Sequence, residues 1–563
     1  MTEFKARMKL FSCKKIAGCC WLLWLLWPAA ASSQVQEVPY DNDSTFYRID
    51  LALKAPQDCA YLFLEHDTLR VLPADFSKLI KLKGITFRYC LQADWKQVCS
   101  KLSSLPNLTY LEISICGVRS LPDEIGSLQQ IHALNLKSNV LESLPAALQN
   151  CRQLAYLNLS FNSSLDFAAL GGNLQSVPQL TMLDVSGNLL TVFPGGLTAL
   201  PNLQSLDVSD NRLLTLPDNL KDFTALTTLD LSNNLLLKYP DEMNKLATLT
   251  SLQHLSLASC DLKALPESIG SLDALESLDL SGNQLQSLPG SIEKLVRLKT
   301  LNLGMDADGQ RRNKLKSFPA GFDKLKQLEY LNLSGDSILS VPAAIAKFTR
   351  LKVLNLSWCT LFELSPAIRG LIQLEVLNIN HNHISRLPDW LGELTSLREL
   401  HADADFFAYP VDKIKILPAS IGHLHQLELL SLNDQVIRGL PASVSLCSHL
   451  RLLSLRGNLL VTLPDSFVLL SQLNDLDLKA NLLERLPDHF EQLTALKKLN
   501  LSFNESLDMN VVAKQLQRMQ QMEVLDISFN RMDARIYEGL KKSLPATKII
   551  AKGFNNLVPI ENK

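Results

Sequence analysis

Residues 275–289 read Leu275-Glu-Ser-Leu278-Asp-Leu280-Ser-Gly-Asn283-Gln-Leu285-Gln-Ser-Leu288-Pro289. Leu278 and Leu280 flank a single residue, and residues two apart on an extended chain share a face. The two leucines therefore turn one way, while Ser277 and Asp279 turn the other. Asn283 follows at the point where the chain must leave the strand. Its amide both donates and accepts, so it suits a place where backbone groups lose their partners. Leu288-Pro289 then opens a return segment.

The same frame recurs along the chain. With Asn283 as the ruler, the slot falls at 67, 90, 116, 139, 162, 188, 211, 234, 260 and 283. It continues at 306 (resuming at 313), 336, 359, 382, 405 (resuming at 412), 435, 458, 481, 504 and 530. The basic step is 23 residues, with four three-residue and two seven-residue insertions. Slots 90, 162, 234 and 306 are 72 residues apart, which points to block duplication. The slot residue is mostly Asn, as at 139, 162, 188, 211, 234 and 283, and Cys90, Cys116, Cys260 and Cys359 occupy other slots. Cys151 and Cys447 replace leucines of the return segment, and all six cysteines read as core packing.

These units resemble the leucine-rich repeat family. The 23-residue form with Leu-Pro after the strand is similar to the Ras-suppressor and plant Ras-group type, and the resemblance covers about residues 58–550. It implies an α/β fold: a curved leucine-rich repeat solenoid of about 20 repeats, with one parallel sheet on the concave face. The expected organisation is a signal peptide over 1–33, an N-terminal cap over 34–57, the solenoid over 58–530, and a C-terminal cap and tail over 531–563. In that last part a helix is expected over about Ala534 to Leu544 and a strand over Thr547–Ile550.

Composition agrees with a packed repeat protein. About one residue in five is leucine, 47% of the 563 residues are apolar and 20% are charged, which excludes disorder along the whole chain. Lys plus Arg is 55 against 57 Asp plus Glu, a formal charge of −2. That balance gives no electrostatic case for a nucleic-acid partner.

The N-terminus reads as an export signal. A basic lead (Lys5, Arg7, Lys9, Lys14, Lys15) precedes an apolar run from Ile16 to Trp27, then Pro28 and small residues to Ser33. Cleavage is expected near Ala31–Gln34. The run is shorter than the roughly 20 residues a spanning helix needs, so no transmembrane span is expected in the mature chain. An exported or cell-surface location follows. Resemblance implies a bacterial-type protein, since the paired-cysteine caps common on secreted animal and plant relatives are missing. Eight cysteines lie beyond the signal, scattered along the chain, and Cys59 and Cys99 are near enough in sequence for a bridge to be one option.

No nucleophile–base, zinc or phosphate-loop motif is present. No enzyme, metal or cofactor is expected. Asp306-Ala-Asp308-Gly309 has the start of a calcium loop without its later ligands, and His381, His383, His423 and His425 read as solvent-facing. Function must then lie on exposed strand positions and inserted loops. The two seven-residue insertions, Asp306–Arg312 and Asp405–Val411, leave along the same edge. They bracket a candidate partner-binding patch of Met305, Tyr330, Trp358, His381, Phe406, Phe407 and Tyr409, because interface hot spots favour aromatics. The alternative is that the loop aromatics fold back onto neighbouring repeats. A second aromatic patch comprises Tyr61, Phe63, Tyr89, Tyr110, Tyr156 and Phe161, with Ile115 among them. The strand face carries acids at Asp184, Asp207, Asp210, Asp230, Glu276 and Asp279, and bases at Arg451, Arg456, Lys479, Lys497 and Lys498. The expected function is recognition of a protein or peptide without catalysis. The alternatives are a carbohydrate or cell-wall binder and a membrane-anchored intracellular scaffold.

Overall fold

The computed structural model describes residues 44–66, 68–237, 241–338, 340–405 and 407–553. The signal segment 1–33, Tyr40, the slot residue Asp67, Phe406 and the tail 554–563 lie outside the described residues. The chain forms two compact units that divide between Leu280 and Ser281.

In the first unit eleven strands, from Thr45–Phe46 to Ser277–Asp279, pair in chain order and all in parallel. Register advances by one repeat per strand, so Leu134, Leu157, Leu183 and Leu206 oppose one another in turn. The second unit repeats the pattern with eleven parallel strands, from Thr300–Asn302 to Lys548–Ile550. The inward leucines of both units are almost fully buried. Each contributes roughly 1.5–3 kcal/mol relative to an exposed side chain. Both units are α/β leucine-rich solenoids with one sheet face packed and the other open.

The slot residue links each repeat to the one before it. Asn382 donates to Leu356 O at 2.8 Å and Ile379 O at 2.9 Å, and accepts from Cys359 N at 3.1 Å and Leu361 N at 2.9 Å. Asn139, Asn211, Asn458 and Asn504 repeat parts of this arrangement. A cysteine in the slot keeps the donor half. Cys359 Sγ donates to Leu333 O at 3.0 Å and Cys116 Sγ to Ser114 O at 3.2 Å. All eight cysteines of the described residues are buried free thiols, so Cys59 and Cys99 are not bridged. Burial pushes Cys59, Cys99 and Cys447 up to about 12 and Cys151 up to about 11.

The return segments are mostly short 3₁₀ turns. Their Leu-Pro starts explain this: Pro has no N–H to continue a strand, and its own carbonyl accepts the first turn bond. Ile421 N bonds Pro418 O at 3.1 Å, and Phe467 N bonds Pro464 O at 2.9 Å. The four 26-residue steps depart from this by carrying α-helices instead, at Trp95–Leu102, Leu170–Leu174, Asp241–Leu246 and Met509–Leu516. An α-helix rises only about 1.5 Å per residue against about 2.0 Å in a 3₁₀ turn, so the extra three residues span the same return distance. The described ends carry a strand and helix, Thr45–Phe46 and Ile49–Lys54, and a helix and strand, Ala534–Ser543 and Lys548–Ile550.

Candidate functional site

The edge where the strands end has its own backbone rule. At eighteen positions from His66 to Phe529, the residue just before the slot has φ between +52° and +78°. Glycine fills this left-handed position at Gly187, Gly282, Gly335 and Gly457, but elsewhere it holds Tyr89, Ile115, Phe161, Trp358, His381, Phe503 and Phe529. A residue with a Cβ pays about 1–2 kcal/mol there. The geometry aligns these side chains one strand spacing apart, about 4.8 Å, which suits ring stacking. His66 stacks on Tyr89 at 4.3 Å, Trp358 on His381 at 4.2 Å, and Phe503 on Phe529 at 4.3 Å.

In the second unit this edge carries both insertions. The first is pinned by its own acid: Asp306 Oδ1 accepts from Gln310 N at 2.7 Å and Arg311 N at 3.1 Å. Its carboxylate thus closes a turn, with Gly309 at φ +68°. The loop packs closely enough that a Cβ on Gly335 would lie 3.3 Å from the Cβ atoms of both Met305 and Arg312. The second insertion is held by backbone bonds, Ala408 N to Asp405 O and Asp412 N to Tyr409 O, both 3.0 Å. Its side chains stay in solvent: Phe407 is 88% exposed, Tyr409 76% and Val411 66%.

The patch expected from sequence is therefore only partly assembled. Trp358 is 41% exposed and stacks on His381, while Met305 is half-buried against the Gly335 turn. Phe407 and Tyr409 do not fold back. Tyr330 does not belong to an exposed patch: it is 3% exposed, between Thr300 and Val353 in register. A large ring on a strand face lies among side chains only about 4.8 Å away on either side, so an outward position is not an exposed one. Phe406 is outside the described residues. His381 and His383 are also not simply solvent-facing. Burial pushes the His381 imidazole below its usual range, and His383 stacks on Phe362 with Nδ1 3.5 Å from Asp412.

The first-unit patch is also mostly sunk into the face. Phe63 is buried, with Tyr47 at 6.0 Å and the Arg88 guanidinium 5.8 Å above its ring. Tyr61, Tyr89, Ile115, Tyr110 and Tyr156 are half-buried. Tyr110 donates to Glu112 at 2.8 Å, and Asn158 Nδ2 donates to the Tyr156 hydroxyl at 3.1 Å. Phe161 alone of these is fully outward, at 54% exposure beside Gly187.

The charge map changes as well. Four of the five bases expected in the second unit are paired with acids: Arg451 with Glu428 (3.9 Å), Arg456 with Asp434 (3.4 Å), Lys497 with Glu523 (2.9 Å) and Lys498 with Asp475 (3.8 Å), while Lys479 lies 5.3 Å over the Phe503 ring. In the first unit Asp184, Asp207 and Asp230 stand in register and terminate their strands. Each accepts the N–H two residues on, from Ser186, Ser209 and Ser232, at 2.8–2.9 Å. Burial, together with the neighbouring Asp230 and Asp184, pushes Asp207 up to about 8; burial pushes Asp230 up to about 6.

Sequence reading missed the left-handed column and a groove beside the second insertion. That groove, about 740 Å³, is lined by Pro410, Val411, Lys415, Ile416, Val436 and Arg438, with Gly439 and Leu459 completing it. Ile416 is 73% exposed. The signal was available: the Lys415-Ile416 and Arg438-Gly439 pairs occupy the same two places in adjacent units, just before Leu-Pro.

A family model described as a leucine-rich repeat region matches residues 66–213, 202–329, 308–408 and 411–552. The chain belongs to the leucine-rich repeat family. No curated protein matches it. Similar solved structures include TLR13 in its complex with ssRNA13, at 24% identity and TM-score 0.65, covering 89% of this chain and 72% of that one. Another is the plant peptide hormone receptor RGFR1 in complex with RGF2, at 19% identity and TM-score 0.52, covering 90% and 87%. A leucine-rich repeat protein of Leptospira interrogans is 24% identical over 90% of this chain and 99% of its own, with TM-score 0.47. At these identities the likeness is one of fold.

Proposed function

We propose that this chain is an exported leucine-rich repeat protein that recognises another protein without catalysis, through the second-insertion edge of its second unit. The observation that carries the reading is the loop of residues 405–411, which holds Phe407 and Tyr409 in solvent on a strand-anchored base. Rings held this far into solvent bury little apolar surface, and such patches on soluble proteins mark interaction sites. The stacked Trp358–His381 pair lies on the same strand-end edge of that unit and supplies a rigid aromatic surface. The fold accommodates ligands: two of the similar structures were solved with one, RGF2 and ssRNA13. The even charge of this chain favours a protein over a nucleic acid. Export rests on the three-part N-terminal segment, and the bacterial-type reading on the missing paired-cysteine caps.

The test is a pull-down from the extracellular or envelope fraction of the producing cells, comparing the native chain with a Trp358→Ala/Phe407→Ala/Tyr409→Ala variant of unchanged thermal unfolding. A protein retained by the first and lost by the second is the expected result. A partner retained by both moves the site elsewhere, and recovery of glycan alone replaces the protein reading with the cell-wall one. N-terminal sequencing of the native protein checks export: a start near Ser32–Gln34 is expected, and an intact Met1 sinks it.

A further inference from the structure

The groove beside the second insertion combines two features that specify chemistry. Its walls are apolar, from Pro410, Val411, Ile416 and Val436, and its volume of about 740 Å³ lies within the usual range of ligand sites. On its rim stand two cations, Lys415 and Arg438, both exposed. They occupy the same position in neighbouring repeats, so their backbones lie about one strand spacing, ~5 Å, apart. Among the described residues neither has a carboxylate within ion-pair reach, which sets them apart from the other bases nearby. Arg398 lies between Glu375 (3.9 Å) and Glu428 (2.8 Å), while Arg451 and Arg456 each have an acid. Two adjacent like charges without a counter-ion repel each other, and an incoming anion relieves that repulsion. Gly439 keeps the groove open: a Cβ there would meet nothing within 4 Å.

The geometry points to an extended peptide segment of a partner protein as the occupant, one that places an Asp or Glu carboxylate between Lys415 and Arg438 and an aliphatic or aromatic side chain against Val411, Ile416 and Val436. This rests on the protein-recognition reading above and gives its partner a chemistry. Charge complementarity decides the class, because the apolar walls ask for a side chain and the paired cations ask for a single carboxylate. The three repeats that line the groove span about 10 Å, room for three or four extended residues. Tyr409 directly precedes the groove-lining Pro410 in the chain, and its exposed ring is available to the flanking residues of the segment.

The experiment uses the full chain as bait for a phage-displayed library of random dodecapeptides, with enriched sequences synthesised and measured by fluorescence anisotropy. Enrichment of peptides with Asp or Glu next to Leu, Ile or Phe is expected. Changing that acid to its amide, or making Lys415→Glu/Arg438→Glu in the protein, should weaken binding at least tenfold. Gly439→Trp, which fills open space, should do the same with unchanged thermal unfolding. Enriched peptides without an acid, or binding undiminished by both Gly439→Trp and the charge reversal, overturn the proposal, as does no enrichment at all. If Phe407→Ala/Tyr409→Ala abolishes peptide binding while Gly439→Trp leaves it intact, the groove inference falls and the loop reading stands. Loss of the pull-down partner in neither set would sink the broader reading independently.

Discussion

At one strand position, three consecutive strands of the first unit carry acids and four of the second carry amides. Asp184, Asp207 and Asp230 occupy consecutive strands of the first, and Asn302, Asn332, Asn355 and Asn378 of the second. Both sets do one backbone job. The second-unit amides accept the N–H two residues on, from Gly304, Ser334, Ser357 and Asn380, at 3.0–3.2 Å, much as the acids do at 2.8–2.9 Å. The fold asks this position for an oxygen and is indifferent to its charge. Stability is not indifferent, since like carboxylates in register raise each other's cost of ionisation.

The comparison has a control in the slot, where both units use an amide in the same way and a change should hurt both alike. Asn211→Leu in the first and Asn382→Leu in the second each leave two backbone N–H groups and two carbonyls short of a partner. We expect each to cost about 3 kcal/mol or more, read from the urea midpoint. Unequal losses would break the equivalence of the two units.

The next largest effect separates the units. The folded pKa of Asp207, pushed up to about 8, lies above its unfolded value, so the fold prefers the protonated acid. The contribution is fully present below about pH 4 and is lost as pH rises towards 8. Asp207→Asn should therefore stabilise the protein by on the order of 2 kcal/mol at pH 8–9 and hardly at all at pH 4. Thermal melts across that range decide it, and a gain independent of pH would contradict the burial argument. The reverse exchange sharpens the point. Asn332 donates to Asn302 Oδ1 at 2.9 Å, so Asn332→Asp sets two acceptors face to face. A loss of about 1–2 kcal/mol that grows with pH is expected where none existed.

The smallest effect is common to both units. Ser138 at φ +58° and Ala480 at φ +54° hold the left-handed position with a Cβ. Replacing either by glycine should raise stability by about 0.5–1 kcal/mol, seen as a small upward shift in melting temperature. No change at either would mean that the edge is less strained than its backbone angles indicate.

The repeat itself was legible because period and chemistry coincide. Leucine alternation marked the strands from Leu111 to Leu525, and the slot asparagines marked where each one ends. The four three-residue insertions were visible as arithmetic, but not as α-helices, because a change of turn type leaves no leucine out of place. The open face was harder. Tyr330 and Phe63 satisfy the same pattern as exposed residues, yet neighbours on adjacent strands bury them. The left-handed edge was hidden for the opposite reason: Trp358, Phe503 and Ile115 are residues that local preference keeps out of that conformation, and only the packed ladder holds them there. Of the candidate site, the second loop could be read from its surplus of rings. The groove beside it depended on which bases find acids, a matter of three-dimensional neighbours.

The slot ladder also has a sense of direction. Each asparagine reaches back, capping carbonyls and N–H groups of the repeat already made, as Asn382 does for the Cys359 turn and Asn504 for Leu483. A chain leaving the ribosome therefore finishes each rung only when the following one emerges, about 23 residues later, and needs no contact from far downstream to do so. Synthesis and folding run in step along such a molecule, one rung apart, and a stalled nascent chain would stop with a single unfinished edge at its growing end.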